Sequence, residues 1–418
     1  MIEKRFVVIL VLLCIFKLSG QTVKISDFGF DAFDSTKHIY DAILSENDTV
    51  IFDKQHTQWI TGPLLFNQLK NKVLVFEEGV MLCAKEGGFV KTTDALMEFR
   101  NSHNVIIIGN SAILQMNKKE YTDGEWRHCI SLRSCTSINI SNLTLKDSGG
   151  DGIYIAGSKK GEFSENIQIE NIVSDNNKRQ GMSIVSAKNV TIKNSIFKNT
   201  KGTLPEAGVD VEPNSKLDRI QGIRFYDCTF VENNHAGVVL ALHNLESDSA
   251  PVDIEFVNCV VENNHDKGNK YIASELIFNA HKTNPVKGKV VFENCLIKNS
   301  KWGLFYSRKT VEAYNVTFKN CSALNICKDG SYPPIYLEVP DYYKGSYQLG
   351  GFIFDNLTLQ YNANVPYMSI RGSTLPTLKN VSSISGDITL ISTQEPKVEY
   401  IKYSGSNNID VNINITQE

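Results

Sequence analysis

Asp210 and Glu212 stand two residues apart in the run Gly208-Val209-Asp210-Val211-Glu212. Apolar and acidic residues alternate there with the two-residue period of a strand. Val209 and Val211 are expected to point into a core and both carboxyls onto the opposite, wet face. With a rise of ~3.3 Å per residue the two acids fall about 6.5–7 Å apart. Such neighbours repel unless a proton, a metal or a substrate lies between them. One protonated and one ionised carboxyl across roughly 6.5–9.5 Å is the arrangement that inverting glycoside hydrolysis needs, with a water in the gap. Glu206, in the loop entering the strand, is a third candidate acid. The same atoms, with Gln180 or Asn214 beside them, offer oxygen ligands for Ca²⁺ as the alternative use.

The elements that must position these residues are legible as a repeat. Glycines open one strand of each unit at Gly152, Gly181, Gly208, Gly237 and Gly303, the first four spaced by 29, 27 and 29 residues. A further unit, Ala273–His281, lies between the last two. Each unit also carries two strands around a turn residue: Asn171, Asn194, Asp227, Asn258 and Asn294. Asn tolerates left-handed backbone angles and can bond to its stacked neighbours as a ladder. A period in the high twenties with three short strands per unit indicates an all-β parallel β-helix. No linker divides the chain, so a single domain over residues 21–418 is expected. Residues 21–48 would form an N-terminal cap with a short helix over Ser35–Ser45, residues 49–394 the coils, and residues 395–418 a C-terminal cap.

Once units are stacked ~4.8 Å apart, equal offsets from the marker glycine become spatial neighbours. The outward slots two residues on are Tyr154, Ser183, Asp210, Val239, Ile277 and Phe305. Four residues on they are Ala156, Val185, Glu212, Ala241, Asn279 and Ser307. Asp210 and Glu212 are then the only charges on this face. That isolation favours a functional role over a solvated turn pair. Arg179, Glu206 and His235 precede the glycine by two on consecutive units, and His243 and His281 follow it by six. The expected catalytic set is Asp210, Glu212, Glu206, Arg179 and His243. The expected substrate contacts are Tyr154, Asp151, Gln180, Ser183, His235, His281, Trp302 and Arg308. Arg179 would suit an acidic sugar, because a planar guanidinium matches a carboxylate or sulfate.

The N-terminal segment ISDFGFDAF…IYDAI…DTVIFD…WITGPLLF…KNKVLVFEEGVMLCA resembles the start of polygalacturonase-type glycoside hydrolases and the wider pectate-lyase-like superfamily. The resemblance implies a right-handed β-helix acting on a polysaccharide. It is one of architecture, because the Asn-Thr-Asp, Asp-Asp, Gly-His-Gly and Arg-Ile-Lys motifs of polygalacturonases have no clear match. Gly149-Gly150-Asp151-Gly152 stands where the first might fall. The alternative within the superfamily is a calcium-assisted polysaccharide lyase or epimerase, with Arg179 or Lys216 as base. A non-catalytic carbohydrate-binding surface protein would use the same face.

The totals are consistent with these expectations. The chain has 418 residues, a net charge of −3 and a pI near 6.3, without the basic surplus of a nucleic-acid binder. Residues 1–20 read as a secretory signal peptide: a basic start, the apolar run Phe6–Phe16, then Leu18-Ser19-Gly20. About eleven apolar residues are too few to span a bilayer. A secreted, periplasmic or extracellular protein with a polysaccharide or oligosaccharide partner and no membrane span is expected. Of the cysteines, Cys228, Cys259, Cys295 and Cys321 share one slot of the repeat and read as a buried ladder. Cys129/Cys135 and Cys321/Cys327 are the candidate bridges.

Overall fold

The structure is a computed structural model that describes residues 20–265, 274–339, 347–372, 378–402 and 409–418. The leader expected over residues 1–20 lies outside these except for Gly20. The unit at Ala273–His281 is described from Ser274 onward.

Every pairing between strands is parallel, each strand bonding to its counterpart one coil away. One sheet has 12 strands among the described residues and runs from Leu64–Asn67 to Val398–Ile401. Its inward column, Ile153, Met182, Val209, Val238 and Leu276, follows the glycine markers. A second, 20-stranded sheet supplies the other two strands of each coil, bent where the chain turns. Asn171, Asn194, Asp227, Asn258 and Asn294 make that bend at φ of 56°, 48°, 55°, 54° and 53°. Most side chains pay about 1–2 kcal/mol for such angles, and Asn pays least after glycine. The ladder is present: Asn258 Nδ2 donates to Asp227 Oδ1 at 3.2 Å and Asn171 Nδ2 to Asn142 Oδ1 at 3.1 Å.

Stacked coils let identical side chains pack face to face. Phe225, Phe256 and Phe292 form a column with centroids 4.7 Å apart and planes within 5°. The marker glycines are required by close approach. A Cβ on Gly208 would stand 2.7 Å from the Gly237 carbonyl and 2.9 Å from Asn233 Nδ2.

The structure corrects the register of the Gly303 unit and the candidate cysteine bridges. The Gly303 unit is shifted by one residue: Leu276 pairs with Phe305 and Ile277 with Tyr306. Phe305 and Ser307 therefore face inward, and Tyr306 takes the outward slot. Leu304 and Phe305 are both fully buried, so hydrophobicity alone could not fix the register there. The eight described cysteines are all free. Cys129 and Cys135 lie at opposite ends of the strand Ile130–Arg133, too far apart to bridge. Residues 395–418 add another rung, because Val398–Ile401 and Ile409–Gln417 each extend a sheet in parallel. The helix is present at Thr36–Leu44 with Ile39, Ala42 and Ile43 buried. The Asp34 carboxylate accepts from the Thr36 backbone at its first turn.

Candidate active site

Three columns of the 12-stranded sheet converge on one patch. Ser131, Tyr154, Ser183, Asp210 and Val239 form the outward column. His128, Asp151, Gln180 and Ala207 occupy the position three residues earlier, where each coil turns into its strand; Gln180 pairs with Ala207 directly. Arg133 and Ala156 pair two residues after the first column, and Val185 and Glu212 continue their row.

Asp210 faces outward as expected, yet it is fully buried. Gln180 Nε2 donates to its Oδ2 at 3.0 Å, while Gln180 Oε1 accepts from the Ala207 backbone at 2.8 Å. Gln180 is thereby fixed as a donor to this one acid. Asp210 Oδ1 has no donor among the described residues, and the Glu212 carboxyl beside it can hydrogen-bond to it only by sharing a proton. Burial first, and then the Glu212 charge, push the Asp210 pKa well above the usual carboxylate range. The open, water-filled gap expected between these two acids is absent. Glu212 is the accessible member, with 29% of its side chain exposed.

Arg179 organises the patch from the turn before Gln180. Its Nη2 is hydrogen-bonded to Glu212 Oε2, and its Nη1 lies 3.9 Å from Asp151 Oδ1. Its Nε is 3.7 Å from Glu125 Oε2 and makes no hydrogen bond. Burial disfavours its charge, but the surrounding carboxylates outweigh burial and hold it protonated. Asp151 is fully buried, and burial raises its pKa to about 7 against the pull of Arg179 and the Ser183 hydroxyl. The Asp151 backbone N–H donates to His128 Nδ1 at 3.0 Å, which places the imidazole proton on Nε2. Burial, with Arg133 and Arg179 nearby, keeps His128 neutral. The His128 ring stacks on Tyr154 at 4.5 Å, and Arg133 lies 4.6 Å over the Tyr154 ring.

Beside Glu212 and past the strand ends lies a groove of about 570 Å³, within the size range of small-ligand sites. Arg133, Lys159, Lys160 and Lys216 line it against Asp218 and Glu246, with Tyr154 and Val185 also in its lining. Ser158 Oγ, also in the lining, is buried without a hydrogen-bond partner among the described residues.

The other expected site residues lie elsewhere or serve the fold. Glu206 accepts from the Gly202 backbone at 2.7 Å and from Asn234 Nδ2, so it shapes its own loop. His243 is exposed beyond Leu242 and bonds to none of the carboxylates. His281 Nδ1 caps a turn by accepting from the Asn284 backbone at 3.0 Å. His235 is buried 6.4 Å from His265. Trp302 packs on His265 and Tyr332 and donates to Asp329, so its ring is not a free platform. Arg308 belongs to a separate cluster with Tyr306 and Glu338, three rungs from Asp210. Among the described residues no group of three or more His, Cys, Asp or Glu is placed to hold a metal, and Glu212 is already ion-paired.

His128, Arg133 and Glu125 were not anticipated. The register puts Cys129 where the next coil has Gly152, so a search for marker glycines misses the coil that carries His128 and Arg133. Glu125 lies in a loop outside the repeat and leaves no periodic signal.

Residues 98–284 match the family described as "Right handed beta helix region". No curated protein matches the sequence. Among solved structures the chain resembles a Yersinia enterocolitica family 28 exopolygalacturonase, with 14% identity, 95% of this chain and 78% of that one covered, and a TM-score of 0.54. It also resembles the tailspike of Escherichia coli bacteriophage HK620, crystallised as a mutant with a hexasaccharide, at 9% identity, 91% and 78% coverage and a TM-score of 0.60. A thermostable α-1,3-glucanase of Streptomyces thermodiastaticus matches at 12% identity, 95% and 68% coverage and a TM-score of 0.50. By its own strand pairing and by these likenesses, the chain is a right-handed parallel β-helix.

Proposed function

We propose that this protein is an exported glycoside hydrolase that cleaves an acidic polysaccharide at the Asp210–Glu212–Arg179 patch. The observation that carries the proposal is the burial of Asp210 against Glu212. Four acids, two of them fully buried, crowd one guanidinium, and a fold gains nothing from such repulsion. Paired acids whose environments push their pKa values apart are a common form of acid/base machinery. Burial and the neighbouring Glu212 charge favour the protonated form of Asp210, and Glu212, ion-paired and accessible, is the group that meets the sugar. Arg179 orients Glu212 and stabilises charge developing there. The cationic groove beside it suits a substrate carrying carboxylates or sulfates. The named activities of the polygalacturonase and glucanase neighbours agree with this assignment.

The test is reducing-end release from a panel of neutral, uronate-containing and sulfated polysaccharides. The expected result is activity on an anionic polymer, lost on Glu212→Gln with binding retained. A second proposal, a non-catalytic carbohydrate-binding surface, is favoured by the complete burial of Asp210 and Asp151. It predicts binding with no turnover on any polymer. A lyase would instead produce the absorbance of an unsaturated uronate, and a chelator would abolish that signal if calcium takes part.

A further inference from the structure

We infer that Glu125 is the second accessible carboxylate of this site and acts opposite Glu212; the inference rests on the hydrolase assignment above. Asp210 and Asp151 are buried and cannot touch a sugar directly. Glu125 keeps 31% of its side chain exposed, close to the 29% of Glu212. The two flank one guanidinium, Glu125 at Nε and Glu212 at Nη2. Both lie close to a single planar group, so their facing oxygens are at most about 8–9 Å apart, which admits the inverting spacing of roughly 6.5–9.5 Å. The Nε–Glu125 approach at 3.7 Å is an ion pair without a hydrogen bond, and buried Arg179 Nε has no hydrogen-bond partner among the described residues.

The loop carrying Glu125 is fixed as a catalytic group requires. Buried Arg127 donates to the carbonyls of Phe89, Val90 and Asp123 at 3.0, 3.2 and 2.6 Å. Lys178, next to Arg179, donates to the Tyr121 and Gly124 carbonyls at 2.7 and 3.0 Å. Gly150 lets the loop come close, since a Cβ there would meet the Glu125 carbonyl at 2.7 Å. One turn of the helix thus supplies both the cation that Glu125 faces and the anchor that holds its loop. Trp126, next in the chain, is 43% exposed and presents a large ring in the same loop.

In this step Glu125 takes a proton from a water whose oxygen bonds to the anomeric carbon. The C–O bond to the leaving sugar breaks, and the leaving oxygen takes the proton that Asp210 passes on through the Glu212 carboxylate, leaving Asp210 ionised and Glu125 protonated until both re-equilibrate with solvent. Water is the only co-reactant.

The experiment compares the parent, Glu125→Gln, Glu125→Ala and Glu212→Gln as full chains on the polymer the parent cleaves, with melting temperatures as a folding check. Glu125→Gln is expected to lower kcat at least 100-fold and leave KM within threefold. Azide should restore turnover to Glu125→Ala. If Glu125→Gln keeps kcat within twofold while Glu212→Gln is inactive, this inference alone is overturned. A parent inactive on every polymer overturns both assignments.

Discussion

Asp151 lies three residues before Tyr154 of the outward column, fully buried and with too little positive charge beside it to keep it ionised cheaply. In an unfolded chain it loses its proton near 3.8, whereas the buried carboxyl holds it to about 7. Between those values the folded state binds a proton that the unfolded state has released. Stability from this group therefore falls as pH rises through the window, by about 1.4 kcal/mol per pH unit, and the full cost is present above about pH 7. Asp151→Asn removes that cost while keeping the shape. It is expected to raise the melting temperature over the parent at pH 8, with the gap closing towards pH 4; an equal gap at both pH values would contradict the burial argument. Asp210 is shifted in the same direction. Asp210→Asn is expected to cut turnover by about 10²–10⁴-fold, the usual worth of a positioned proton donor, with binding preserved in isothermal titration.

At the scale of the element, the coil is held by columns rather than by local preference. Phe256 stacks between Phe225 and Phe292, so no neighbour can collapse into the space it leaves. Phe256→Ala is expected to cost about 3–5 kcal/mol, read as a lower urea midpoint at an unchanged m-value. Gly208→Ala should destabilise through the carbonyl of the next coil, not through backbone angles. The candidate patch forms where the turn ends and the strand begins. There the rungs of Asp151, Gln180 and Ala207 bring together groups more than 20 residues apart in the chain. His128, Asp151, Arg179 and Glu212 come from four successive coils, which is why no contiguous motif announces them.

The whole molecule is one continuous stack. Its apolar interior runs from Ile25 near the first rung to Leu390 near the last as a single cluster. Among the described residues no helix is long and apolar enough to cross a membrane. The thiols of Cys129, Cys135, Cys228, Cys259, Cys295, Cys321 and Cys327 are buried inside the stack and unpaired. A thiol reagent is expected to reach at most Cys83 in the native protein and all eight described cysteines after unfolding, with no further gain on adding reductant. A gain would reveal a bridge. Under the hydrolase assignment a chelator leaves melting temperature and turnover unchanged, and loss of either would favour the calcium-dependent alternative.

The sequence by itself determined the architecture, because the fold repeats its logic every coil. The glycine spacing, the turn residues Asn171 to Asn294 and the apolar alternation all report a local rule applied many times. It also pointed to Asp210, Glu212, Arg179, Asp151, Gln180, Ser183 and Tyr154, which the structure brings together because equal offsets stack. The tertiary structure alone decided which of them meet water. Alternation tells which face a side chain takes, but exposure depends on what neighbouring coils and loops lay over that face. For that reason Asp210 proved buried and Glu212 accessible, Glu206 and His281 hold their own turns, His243 stands exposed away from the acids, and Glu125 entered from a loop with no period to betray it.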